Sequence, residues 1–258
     1  MNRNSEQEQS FQIETTASME QLRHRSRLVE MFEKSPLPMD ERLFNIGMYT
    51  RSSILVKFLL MSDVYKRIKN IPGQLIEFGT WWGHNLILLE NLRAIHEPFN
   101  KQRVIVGFDT FDGYTSLSAK DKECHVWSEK SYNTGVDYVS YLRELIEVHE
   151  GSNVLGHVKG RHRLVVGNVE QTAPQYFVEH PESIVAFAYF DMALYAPTKA
   201  ALQAIKPHLV SGSVLLLDEL TWPESPGEAI AFKEVFARDE VCIEKCELYP
   251  SKAIVTVR

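Results

Sequence analysis

From residue 74 onward the chain alternates short apolar runs with stretches of helical periodicity, and few folds can accommodate that alternation. The apolar runs are 74–78, 103–108, 163–166, 184–190 and 213–217; helical patterns fill 84–96, 137–150, 171–180 and 198–209. Short apolar runs suit strands buried on both faces, and strand–helix repetition places parallel strands side by side with helices on either face. The predicted class is therefore α/β, a doubly wound, Rossmann-like, mostly parallel sheet. A further helix is expected to begin at Ser225-Pro226, with serine as cap and proline in the first turn. Two last strands, 241–248 and 253–257, flank the hairpin-like turn Tyr249-Pro250-Ser251-Lys252, which predicts an antiparallel last strand.

Ahead of this region, residues 1–14 are polar and aperiodic, the pattern of a disordered arm. Residues 15–72 read as an N-terminal helical cap, with helices expected over 19–34 and 51–68 and a break at Pro72-Gly73. The cluster Arg23, His24, Arg25 and Arg27 reads as the solvated face of the first helix, with an anionic-ligand patch as the competing reading. The two helices carry more apolar surface than a lone arm should expose, which predicts a homo-oligomer. Residues 73–258 form the main domain, interrupted near 110–136 by an aperiodic segment that follows a strand's carboxyl end and reads as a lid.

Twenty-eight Lys and Arg against 34 Asp and Glu leave a net charge of −6, which argues against a protein that binds nucleic acid by neutralising phosphates. No apolar run approaches the roughly 18 residues of a membrane span, and the first ten residues lack a signal peptide's apolar stretch; a cytoplasmic protein is expected, with no membrane partner. Cys124, Cys242 and Cys246 have no disulfide or zinc spacing and read as free thiols.

The first strand runs into Glu77-Phe78-Gly79-Thr80-Trp81-Trp82-Gly83-His84-Asn85, a glycine-bearing turn opening a helix. Gly79 and Gly83 let backbone approach a ligand, and the helix N-terminus offers free N–H groups to an anion. The second strand ends in Asp109, placed to accept hydrogen bonds from both hydroxyls of a ribose. Together these indicate an adenosine-containing cofactor. The turn is not G-x-G-x-x-G, since Trp81 stands at its second glycine, and a ligand whose only anion is a carboxylate, S-adenosylmethionine, fits better than a dinucleotide. Asp191 closes the fourth strand and Asp218-Glu219 the fifth, all at the carboxyl edge. Three carboxylates converging there call for a cation, and their all-oxygen character suits Mg²⁺, then Ca²⁺ or Mn²⁺; the competing reading is a helix cap and a turn. Of the Trp81-Trp82 pair, one ring is expected under the sheet and one along the cofactor pocket. His84 and His125 compete for the role of base, but the nine histidines show no metal-ligand pairing.

Four stretches, Met48-Tyr49-Thr50-Arg51, Ile76 to Gly83, Gly107-Phe108-Asp109-Thr110-Phe111-Asp112-Gly113 and Asp191 to Thr198, resemble the macrocin O-methyltransferase (TylF-type) family over roughly residues 45 to 258. The resemblance implies an S-adenosylmethionine- and divalent-metal-dependent enzyme that methylates a deoxysugar hydroxyl in antibiotic biosynthesis. The sugar would be rhamnose-like, nucleotide-linked or on a glycosylated natural product. It implies that Glu77, Gly79 and Asn85 line the methionine end of the cofactor, Asp109 the ribose, and Gly167-Asn168-Val169 the adenine. Tyr49, Thr80, Trp81, Thr110 and Gly113 complete the cofactor set. Asp191, Asp218 and Glu219 would hold the metal, with Asp191 touching the cofactor and serving as catalytic base. Ala193, Glu219 and Asn168 depart from the family's usual acid or aspartate at those positions. A catechol or phenolic methyltransferase is the runner-up; an NAD-dependent oxidoreductase or an inactive interaction protein are the rivals from other classes.

Overall fold

The computed structural model describes residues 17–114, 117–121, 132–153 and 160–258. The expected disordered arm and part of the expected lid, residues 115–116 and 122–131 with Cys124, His125 and Trp127, lie outside the described residues. The chain divides into two compact units, one up to Leu55 and one from Val56 to Arg258.

In the first unit, α1 (Met19–Glu33) is followed by α2 (Met39–Phe44), a 3₁₀ turn (Ile46–Tyr49) and the start of α3 (Ser52–Ile68). Ser18 opens α1 with a capping box, its hydroxyl accepting the Gln21 N–H while the Gln21 side chain accepts the Ser18 N–H. Six residues are too few to show a period, which is why α2 has no counterpart in the sequence reading. Phe32 meets Tyr49 edge-on at 5.1 Å, and the Tyr49 hydroxyl donates to Ser35 Oγ at 2.8 Å.

The second unit is built on a seven-stranded sheet ordered β3-β2-β1-β4-β5-β7-β6. Its strands are β1 (Gln74–Phe78), β2 (Ile105–Asp109), β3 (Arg163–Val166), β4 (Val185–Phe190), β5 (Leu209–Leu217), β6 (Val241–Lys245) and β7 (Ala253–Val257). Neighbours pair in parallel except around β7, which runs antiparallel to both β5 and β6. The expected doubly wound sheet with an antiparallel last strand is what forms. Helices α4 (His84–His96) and α5 (Val136–Ser152) pack with the buried end of α3 on one face; α6 (Val169–Glu179), α7 (Tyr195–Ile205) and α8 (Gly227–Val235) pack on the other. The two-residue strand period sorts the side chains: Leu75, Phe187, Tyr189 and Leu216 enter the first core, while Ile76, Phe78, Phe190 and Leu217 enter the second.

Element boundaries moved where a local group outweighed the apolar pattern. Helix α7 ends before Pro207, whose ring cannot continue it; a short 3₁₀ turn (Lys206–His208) follows, and β5 begins directly after it at Leu209. Ser225 does not cap α8, because its hydroxyl donates to the Ala193 carbonyl and Pro226 takes the cap position. Beneath α4 and α5, Arg93 and Glu90 form a fully buried two-point ion pair, at 2.6 Å and 2.8 Å. His162 joins them, accepting the Ile105 N–H on Nδ1 and contacting Glu90 through Nε2 at 2.8 Å.

Candidate active site

The sheet order reverses between β1 and β4, so the connections that leave their carboxyl ends run to helices on opposite faces and open a cleft above the paired strand ends. The strand ends are laced by backbone: Gly79 N–H donates to Phe108, Asp191 N–H to Phe78 and Asp218 N–H to Phe190. At Gly79 φ is +90°, and a Cβ would stand 2.1 Å from the Asp191 carbonyl oxygen. The glycine is demanded by two strand ends pressed together. Gly83, at φ +76°, is demanded by Leu142 of α5, whose methyl would be 2.4 Å from a Cβ. Neither glycine's missing side chain faces the cleft; both hold its walls at close packing.

Asp109 organises the turns on either side. One carboxylate oxygen accepts the Trp81 N–H and the other the Phe111 N–H, each at 2.7 Å. Trp81 and Phe111 are both left-handed, with φ of 48° and 55°, a conformation that non-glycine residues adopt only when held. Burial raises the Asp109 pKa, while these backbone N–H groups pull against it. The Thr80 hydroxyl reaches the Phe108 carbonyl, and Thr110 Oγ1 donates to the Gly113 carbonyl at 2.9 Å across a tight turn. At the cleft floor Glu77 is buried; one oxygen accepts from Asn85 at 2.8 Å and the other has no hydrogen-bond partner among the described residues. Burial pushes its pKa well up, the Asn85 hydrogen bond opposes this, and the charges of Asp191 and Asp109 add to the rise.

The remaining candidates come from other elements; Gly167, before Asn168 and Val169, donates its N–H to the Asp109 carbonyl. Asn168 caps α6 by accepting the Glu170 N–H, and Val169 is buried in the second core, so any adenine contact from Val169 would come through its backbone. Tyr49 belongs to the first unit. Neither tryptophan lies under the sheet: Trp82 is 45% exposed, edge-on to Tyr138, and Trp81 stands edge-on to Tyr132. Both follow the glycine turn beyond the last strand residue, where no sheet face is available to cover them. Between the described ends of the expected lid, Thr134 and Gly135 N–H groups donate to the Phe111 carbonyl. Asp121 accepts from Ser118 and from the Tyr195 N–H at 2.8 Å. A Cβ at Gly227 would collide with Asp121 at 2.3 Å, so the anchor depends on that glycine.

The structure brings the three strand-end acids together. Asp191, Asp218 and Glu219 each offer a ligand oxygen, all within 4.8 Å of one another. Asp191 caps nothing, since Leu194 holds the cap position of α7. Three partners escaped the sequence reading. Tyr189, two residues before Asp191 and hence on its side of β4, donates to Asp218 and stands 3.1 Å from Asp191 Oδ2. Glu228 of α8, fully buried, accepts the Glu219 N–H at 2.9 Å. Burial first, then the neighbouring carboxylates, raise the pKa of Glu219; burial also raises that of Glu228. Lys252, 5% exposed, makes an ion pair with Asp218 and donates to the Tyr189 hydroxyl at 2.9 Å. Burial lowers its pKa to about 8, against the pull of Asp191. The strand period could have found Tyr189; a lysine in a hairpin turn carries no such signal.

A family model for macrocin-O-methyltransferase (TylF) matches residues 47–238, well over half of the chain. The chain belongs to the macrocin-O-methyltransferase (TylF) family. Among solved structures it is similar to CalS11, a calicheamicin methyltransferase, with 35% identity, 98% of this chain and 99% of that one covered, and a TM-score of 0.89. A second, apo structure of CalS11, described as a TDP-rhamnose 3′-O-methyltransferase, is also 35% identical, with 94% and 96% covered and a TM-score of 0.81. The O-methyltransferase NovP, 18% identical over 78% of this chain and 79% of that one with a TM-score of 0.62, shares the fold. No sequence among curated proteins matches significantly. This TylF-family chain is thus an enzyme of methyl transfer to oxygen, on a methyltransferase fold. Among the described residues no helix is long and apolar enough to cross a membrane.

Proposed function

We propose that this TylF-family enzyme transfers the methyl group of S-adenosylmethionine to a hydroxyl of a rhamnose-like deoxysugar, nucleotide-linked or on a glycosylated natural product, in antibiotic biosynthesis. The observation that carries the reading is the acidic triad, Asp191, Asp218 and Glu219, at the same sheet edge as the Asp109 turns. Similarity to CalS11, whose description names a TDP-rhamnose substrate, supports the choice of sugar.

The triad fits a hard divalent cation such as Mg²⁺: its donors are all carboxylate oxygens, and Glu219 Oε2 is buried with no hydrogen-bond partner among the described residues. A bound cation would supply Lewis acidity, lowering the pKa of a hydroxyl beside it. The protein's own groups do the rest. Asp109 and Glu77 hold the cofactor's ribose and ammonium ends, the second through the oxygen left without a hydrogen-bond partner among the described residues. Asp191, exposed to the cleft, takes the proton from the attacking hydroxyl, and the Tyr189 hydroxyl fixes the orientation of its carboxylate. The anchored loop around Asp121 would exclude water and help keep the oxygen, methyl carbon and sulfur in line.

The enzyme works as a cytoplasmic homo-oligomer in this reading. Leu43, Phe44 and Met48 of the first unit are 72%, 87% and 66% exposed, an apolar surface that association would cover. Incubation with S-adenosylmethionine and a panel of TDP-deoxysugars and glycosylated natural products, with mass spectrometry of the products, tests the substrate. A gain of one methyl on a sugar is expected; methylation of catechols alone would overturn it. Light scattering at micromolar concentration tests the assembly, and a monomeric mass would refute it.

A further inference from the structure

The acidic triad already contains a positive charge. Lys252 opens the last strand, where Leu217 of β5 pairs with Ala253 of β7, so antiparallel register brings Lys252 opposite Asp218. Its backbone is fixed on both sides: the Lys252 N–H donates to Tyr249, and its carbonyl accepts the Cys246 N–H. The side chain is equally held. Its ammonium contacts Asp218, donates to the Tyr189 hydroxyl, and lies 4.6 Å from the centre of the Tyr249 ring and 5.4 Å from that of Tyr189. A lysine is rarely buried to this degree unless it is paired, and here every partner belongs to the acidic group or its aromatic rim.

We propose that Lys252 is the resident counter-ion of the triad, and that a divalent cation must displace its ammonium from Asp218 to bind. This inference rests on the reading that Asp191, Asp218 and Glu219 hold a metal. The physical reason is competition for one carboxylate. An ammonium and a doubly charged ion cannot share an Asp218 oxygen at contact distance without strong repulsion, so the free energy of the Lys252–Asp218 pair is subtracted from that of metal binding. The arrangement keeps three crowded carboxylates compensated without a metal. It also makes the site a weak metal binder until substrate oxygens add to the ion's shell. Lys252 is thus a positioning residue, acting on the reaction through the occupancy of the triad.

The test is Mn²⁺ binding to the full-length protein, without substrate, measured by calorimetry and by the loss of the free-ion paramagnetic resonance signal. Lys252→Met removes the charge and keeps the stem; Lys252→Gln keeps a polar end and serves if the first variant folds poorly. Removing a charged hydrogen-bonding competitor should tighten Mn²⁺ binding by about tenfold to a hundredfold. Thermal midpoints in EDTA should fall in the variants, and Mn²⁺ should restore them, because the ion then supplies the missing charge. Equal or weaker Mn²⁺ binding in folded variants would overturn the role of Lys252 and leave the metal site standing. No Mn²⁺ binding by wild type or variants would overturn both. Failure of both variants to fold even with Mn²⁺ present would also overturn it, since the metal should replace the lysine.

Discussion

Replacing Asp109 with alanine removes two hydrogen bonds at once, the acceptors for the Trp81 and Phe111 N–H groups. Those bonds hold two left-handed residues, at φ 48° and 55°, each strained by roughly 1–2 kcal/mol. Without the carboxylate both turns relax, and about 2–4 kcal/mol of strain is released in the free enzyme. Cofactor binding must then restore the turns, which weakens affinity about 30-fold to 1,000-fold before any direct ribose contact is counted. Asp109→Asn should lie between, because its carbonyl oxygen can still accept one N–H while its amide nitrogen cannot accept the other. Calorimetry with S-adenosylhomocysteine on the wild type and both variants gives the affinities, and circular dichroism confirms that the sheet persists. A folded Asp109→Ala that binds within twofold of wild type would refute the argument, since neither the turns nor the ribose would then depend on this carboxylate.

Gly79→Ala places a Cβ 2.1 Å from the Asp191 carbonyl, at a φ of +90°; strain and overlap together should cost roughly 2–5 kcal/mol, or about 4–20 °C in thermal midpoint, and a calorimetric midpoint unchanged within a degree would contradict the close packing of β1 on β4. Burial alone would raise the Glu90 pKa, but hydrogen bonds from Arg93 and His162 and the Arg93 charge bring it down to about 2 from 4.5. This pair should therefore contribute full stability above about pH 4.5 and lose it as pH falls towards 2. Glu90→Gln should be destabilised by about 3–5 kcal/mol at pH 7 and show a flatter acid dependence of its midpoint, and an unchanged acid profile would contradict this. EDTA should abolish methyl transfer and spare cofactor binding, and Asp191→Asn should lose more rate than Glu219→Gln, by about 10²–10⁴-fold if the base is lost; full turnover in EDTA with Asp191→Asn as fast as wild type would return the search for a base to His84 and His125.

Much of the architecture was present in the order of residues. Strand–helix alternation is a local property, set by side-chain periodicity, and it was enough to define the sheet and its antiparallel last strand. The carboxyl-edge acids were legible for the same reason: in a parallel sheet every strand that ends in an acid ends on one side, so Asp109, Asp191 and Asp218-Glu219 had to converge. What the sequence could not supply is what those acids touch. Asp109 spends both oxygens on backbone N–H groups, and the missing Cβ atoms of Gly79 and Gly83 make room for a strand end and a leucine; each depends on how closely elements distant in the chain approach. Lys252 is the clearest case. A lysine after Tyr-Pro-Ser reads as a solvated turn, and only the pairing of Ala253 with Leu217 carries its ammonium to Asp218. Local periodicity decides which segments become strands, whereas antiparallel register, a long-range property set by packing, decides which charges meet.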